Sequence, residues 1–191
     1  MIYRAMVWHL LSHGWNGMQE TADVASLEHL RLSVDTRGEV WLNGRNLAGE
    51  LRTEAVSAGA SVISAIPAVR ELSNRVQRET VAAIGRDKAF PGVILEGRDI
   101  GTVVFPAARH KFFLTAREDV RARRRFLELE AKQPGADKGE VQRALRERDA
   151  RDTGRAVAPL VPAADARIVD TSDLSLDQVV DKLLGMVRTP Q

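Results

Sequence analysis

VILEGRDIGTVVF, residues 93–105, decides how the rest of the chain is read. Val93, Ile94 and Leu95 form a short apolar run bounded by Pro91-Gly92 on one side and Gly97 on the other, the pattern of a buried strand. In open α/β sheets, ligands bind outside the carboxyl ends of such strands. Glu96-Gly97-Arg98-Asp99-Ile100-Gly101 therefore puts a guanidinium fork and a carboxylate at a strand end. Gly97 and Gly101 permit close backbone approach there. On spacing alone, the same residues also suit a structural Arg–Asp pair capping a loop.

Working outward, KFFLT (111–115) and ARIVD (166–170) are two more runs of the same kind. A very basic helix at 118–132 and a charged helix at about 137–152 lie between them. A closing helix at 176–187 gathers Leu176, Val179, Val180, Leu183 and Leu184 on one face. Upstream, helices are expected at about 3–11, where no Ser, Thr, Asp or Asn cap precedes Tyr3, and at 21–30, 50–65 and 67–84. Pro67 suits a first helical position. Between residues 31 and 48, Leu32, Val34, Val40 and Leu42 alternate with polar residues, and Arg37-Gly38 and Asn43-Gly44 supply turns. Strands alternating with helices indicate an α/β domain with a mainly parallel sheet, and the 31–48 stretch a small antiparallel insert.

Composition narrows the function. The chain has 191 residues, 44% hydrophobic and 28% charged, enough for a real core in one domain. Cysteine is absent, which excludes disulfides, thiolate metal sites and a cysteine nucleophile. No apolar stretch reaches the roughly 20 residues that span a bilayer. His9 and His13 interrupt the apolar N-terminal run, so a cytoplasmic protein without a signal peptide or membrane partner is expected. Arg outnumbers Lys 23 to 5. Arg grips phosphate in two places, as Lys cannot, although a GC-rich genome gives the same bias. A net charge of +2 does not by itself indicate nucleic-acid binding.

Three further groups could carry chemistry. Arg148 and Asp152, four residues apart, share a helix face, and Arg155 follows Gly154 at that helix's end. They lead into the apolar, Pro-containing AVAPLVPAADA (156–166), which argues against a merely solvated face. Ser61 and Arg70 flank Pro67, and Tyr3-Arg4 stands at the N-terminus.

YRA (3–5), SVISAIPAVR (61–70), EGRDIGTVVFP (96–106), KFFLTA (111–116) and ERDARDTGRAVAPLVPAADA (147–166) occur together in the order seen in bacterial cytidylate kinases. The chain resembles that family along essentially its whole length. The resemblance implies a P-loop nucleoside monophosphate kinase fold, with a parallel sheet and helices on both faces, formed as a single domain over 1–191. Residues 118–155 would form basic helices and a lid. The implied reaction moves the terminal phosphoryl of ATP onto CMP or dCMP with Mg2+, in pyrimidine metabolism. By motif, Ser61, Arg70 and Asp99 would read the cytosine, and Arg148 and Asp152 the ribose. Arg4, Arg98 and Arg155 would grip the α-phosphate beside Tyr3, with Arg98, Asp99 and Arg155 nearest the chemistry. Arg121, Arg124 and Arg125 would meet ATP phosphates from the lid. A monomer is expected, since the family is usually monomeric.

One part of the pattern is not in these residues. A P-loop, G-x-x-x-x-G-K-[ST], needs a lysine after glycine, and none of Lys88, Lys111, Lys132, Lys138 and Lys182 follows one. In the family that loop, its strand and its helix precede the Tyr-Arg pair, here Tyr3-Arg4. The expectation is an incomplete domain without its first central strand, whose unpaired edges favour poor folding or aggregation. A non-catalytic remnant that binds CMP weakly or not at all is the alternative. A nucleic-acid module built on residues 121–125 lacks the aromatics that stack bases.

Overall fold

The structure, a computed structural model, describes the chain apart from Lys88, Gln133, residues 155–158 and residues 189–191. It also leaves the side chains of Glu20, Lys132, Arg151 and Asp152 undescribed. Two compact units emerge, Met1–Glu96 and Gly97–Gln191.

The first unit is built around helix α1 (Ile2–Ser12). Ala5, Met6 and Val7 are fully buried and Leu10 nearly so. As the sequence suggests, no side chain caps its start. Its last turn carries His9, and His13 caps its end, their ring centroids 4.1 Å apart. Burial first, and then the neighbouring His13 ring, holds His9 below its ordinary pKa, with the Asp23 carboxylate opposing. The helix expected at 21–30 is shorter, a single turn α2 (Val24–Glu28) after a 3-10 turn at Gln19–Thr21. Asp23 starts it, its carboxylate accepting from the Ser26 N–H at 3.2 Å.

Strands β1 (Leu32–Val34), β2 (Val40–Leu42) and β3 (Arg45–Asn46) make the expected antiparallel insert. Leu32 pairs with Leu42 and Val34 with Val40, so the alternating apolar set falls on one face. Asn43 and Gly44 connect β2 to β3 with φ of 50° and 82°, the double left-handed turn that suits strand twist. At the other turn the Asp35 carboxylate accepts from the N–H groups of Arg37 and Glu39, both at 2.9 Å. The bond from Glu39, before all other causes, lowers the Asp35 pKa.

Helix α3 (Glu54–Ile63) begins at Thr53, whose hydroxyl accepts from the Val56 N–H, and packs on α1. Gly59 makes that approach possible. A Cβ there would sit 2.7 Å from Val7 Cγ1 and 2.8 Å from Trp15 Cζ3. Gly59→Ala should therefore destabilise the protein by about 1–3 kcal/mol, the usual cost of overpacking, despite alanine's better helix propensity. A lower urea midpoint at unchanged slope is the expected result.

The second unit holds the parallel pair β4 (Phe112–Thr115) and β5 (Arg167–Asp170), in register Phe112↔Arg167 to Thr115↔Asp170. Helices α5 (Glu118–Lys132) and α6 (Lys138–Thr153) pack together. Ion pairs Arg121–Asp149 and Arg146–Glu118 join them. Helix α7 (Leu176–Arg188) opens with a reciprocal cap between Ser175 and Gln178. A parallel pair with helices and a small antiparallel sheet makes the chain an α/β protein, as expected.

One expectation fails. Residues 93–96 form no strand, Ile94 being fully exposed and Val93 36% exposed. The apolar run signals a preference for burial. A strand also needs a hydrogen-bonding neighbour, and no described strand pairs with this segment.

Candidate functional site

Pro67 opens helix α4 (Pro67–Ile84) because its fixed φ fits the first turn and its missing N–H goes unused there. The chain bends sharply between α3 and α4, whose axes differ by 106°. Arg70 lies one turn into α4 and is only 5% exposed. Its Nη1 donates to the Ser64 carbonyl at 2.9 Å, across the corner. Ser64, equally buried, donates its hydroxyl to the Ser61 carbonyl at 2.9 Å. Two of the expected nucleotide-contacting residues, Ser61 and Arg70, are thus brought to one corner through a third. Sequence reasoning missed Ser64. Its signal was faint, a serine at a helix end able to bond the carbonyl three residues back.

Arg4 projects from α1 and donates from Nη1 to the Leu51 carbonyl at 2.8 Å. Tyr3, beside it, is half-buried against the core of the same unit.

In the second unit, Asp99 is 8% exposed and heads a π-helical turn at Ile100–Val104. Its carbonyl accepts from the N–H groups of Thr102, Val103 and Val104, while Phe105 donates to the Ile100 carbonyl at 2.7 Å. Such wide turns are concentrated at functional sites. Gly97 is required beneath it, since a Cβ would come within 2.6 Å of Ile100 Cγ1. Arg98, half-buried, separates Gly97 from Asp99.

A lysine that sequence reasoning passed over supports this turn. Lys111 is 8% exposed, and its stem runs beside Gly101, where a Cβ would meet Lys111 Cδ at 3.2 Å. Its Nζ donates to the Pro106 carbonyl and to Asp165, at 2.8 Å to Oδ1 and 2.6 Å to Oδ2. That bond is the chief cause holding the Asp165 carboxyl below its ordinary value. In sequence, Lys111 is only a charge at the edge of an apolar run.

The arginines expected in a lid have structural partners. Arg121 bonds the Ala116 carbonyl and Asp149. Arg124 donates to Thr171 Oγ1 at 3.0 Å, to the Thr171 carbonyl at 2.6 Å and to the Leu174 carbonyl at 3.1 Å. Arg125 pairs with Glu128 one turn on, at 2.8 Å. Arg148 is exposed on α6. Asp152 belongs to the same helix, but its side chain is outside the description, and Arg155 lies outside the described residues.

In the first unit the bent α3–α4 corner buries Arg70 beside Ser64, and in the second a Gly-Arg-Asp turn precedes the parallel strand β4. The comparisons with known proteins are more specific. The cytidylate kinase family model matches residues 1–189. The cytidylate kinases of Escherichia coli O1:K1, of Escherichia coli strain K12 and of Shigella boydii serotype 18 are each 43% identical over 190 residues. The match covers 98% of this chain and 81% of each relative. The chain belongs to the cytidylate kinase family, and by family it is a phosphotransferase.

Proposed function

We propose that these residues carry the acceptor half of a phosphoryl-transfer site and bind CMP or dCMP, with ATP as the donor in the complete reaction. The observation that carries the reading is the Ser61–Ser64–Arg70 corner, where a buried guanidinium is held in one orientation. Arginine, serine and a carboxylate can together satisfy the amino group, ring nitrogen and carbonyl of a cytosine. On this reading Ser61, Arg70 and Asp99 read the base. Arg148 and Asp152 hold the ribose hydroxyls. Arg4, Arg98 and Arg155 neutralise the α-phosphate beside Tyr3, and Arg98 and Arg155 stabilise the charge that spreads over the transferring group.

The donor half rests on less. No glycine-preceded lysine exists in these residues, so the phosphates of ATP lack the loop that would cradle them here. Arg121, Arg124 and Arg125 would have to give up the partners described above to serve as a lid. Mg2+ would enter on the ATP phosphates. Among the described residues no cluster of three or more His, Cys, Asp or Glu could hold the ion by itself. The alternative reading is a non-catalytic remnant that binds CMP weakly or not at all.

The rest of the reading is a single kinase domain, monomeric and cytoplasmic, with no nucleic-acid or membrane partner. Among the described residues no single helix is long and apolar enough to cross a membrane.

Calorimetric titration with CMP, beside an assay for CDP formed from CMP and ATP, tests both readings. Saturable CMP binding without CDP formation is the expected result. An absence of binding leaves the remnant reading, and CDP formation by these residues alone overturns the account of the donor half.

A further inference from the structure

We infer that His9 and His13, at the end of α1, form a binding site for a divalent transition-metal ion of the zinc type. The pair stands apart from every residue assigned to the nucleotide above. The four-residue spacing puts both rings on one helix face, and their centroids are 4.1 Å apart with planes inclined by 38°. The same spacing places paired histidines on zinc in helical metal motifs.

Three features fit the pair to a metal. His13 Nδ1 donates to the His9 carbonyl at 2.8 Å. A ring hydrogen bond of this kind fixes the tautomer and leaves Nε2 with its lone pair outward, the arrangement found in metal-ligating histidines. The site also lies at the C-terminal end of an 11-residue helix, the negative pole of its dipole, which favours a cation. Finally, His13 is exposed and His9 half-exposed, so an ion with its remaining waters can reach both.

Among the described residues no third His, Cys, Asp or Glu completes a closed cage. Two imidazoles and water are therefore the proposed ligands, an open site of moderate affinity. Imidazole selects borderline ions such as Zn2+ over hard Mg2+, which prefers oxygen. Because both ligands are in register only when α1 is helical, the ion stabilises the folded unit that α1 centres.

The test is titration of the full chain with ZnCl2 by calorimetry, with thermal melts beside it. One Zn2+ per chain, a raised Tm, and no comparable effect of MgCl2 are expected. His9→Ala and His13→Ala should each weaken binding by roughly 10-fold or more, at least the loss caused by removing an outer partner of a metal ligand. His29→Ala and His110→Ala should bind as the parent does. Failure to take up Zn2+, or uptake as tight in the His9 and His13 variants as in the parent, overturns the proposal. So does uptake lost on replacing His29 or His110 instead.

Discussion

Arg70→Ala should lower the affinity for CMP by roughly 10- to 100-fold, the range set by loss of one hydrogen bond from a charged donor. It should also destabilise the fold by about 1–3 kcal/mol, because it leaves a buried carbonyl without its partner. The second effect follows from geometry alone. Ser64 is 5% exposed, its carbonyl accepts from Arg70 Nη1 at 2.9 Å, and little water can replace that donor. The first effect depends on the proposed base contact, so the two must be separated. Ser64→Ala does this. It removes the Ser64–Ser61 bond while leaving the guanidinium and the Ser64 carbonyl in place, at a stability cost of about 1 kcal/mol. If Arg70 meets the cytosine, Ser64→Ala keeps most of the affinity for CMP that Arg70→Ala loses. Equal losses in the two variants, tracking stability alone, would reduce Arg70 to a structural pin. Calorimetric titration at a temperature well below both melting transitions distinguishes these outcomes.

The reach of sequence reasoning follows the range of the interactions concerned. Pro67 marked the start of α4, and Asn43-Gly44 marked the β2–β3 turn, because both act through their own backbone angles. Alternation placed Leu32, Val40 and Leu42 on a buried face for the same local reason. Motif likeness then found the family, and it is the source of the roles proposed for Ser61, Arg70 and Asp99. The failures are non-local. Residues 93–96 carry the apolar content of a strand, but a strand is a relation between two segments, and hydropathy along one does not supply the other. Ser64 matters because a helix corner brings Arg70 back to it. Arg124 reads as a free cation in a basic run, and the fold spends it on carbonyls 47 and 50 residues away. No single-residue preference encodes such a partner.

Lys111 and Asp165, 54 residues apart, are the clearest case, and they give the second large effect. Asp165→Ala should destabilise the second unit much more than Lys111→Met, although both break the same pair. The asymmetry comes from burial. The Lys111 side chain is 6% exposed and that of Asp165 is 65% exposed. Removing the carboxylate strands a desolvated ammonium with, among the described residues, the Pro106 carbonyl as its remaining hydrogen-bond partner. Removing the ammonium leaves a carboxylate that water already reaches, while methionine keeps most of the stem packed near Gly101. Acidification should imitate the first change. Since Lys111 holds the folded-state pKa of Asp165 below its ordinary value, the pair's contribution is complete above about pH 4, the unfolded value. It is lost as pH falls through the lowered folded value, because only the ionised carboxylate binds the ammonium. Asp35, Glu118, Asp170 and Asp173 are lowered too, so the parent's acid limb is a sum. The difference between parent and Asp165→Asn melts, followed from neutral pH down through that window, isolates this one pair and should vanish at the acid end. Amide exchange then links the pair to the site. The N–H groups of Thr102, Val103 and Val104, which close the turn on the Asp99 carbonyl, should exchange faster in Asp165→Ala. Unchanged exchange there would confine Lys111 to holding strands, and the Gly-Arg-Asp turn would owe its shape to Gly97 and Ile100 alone.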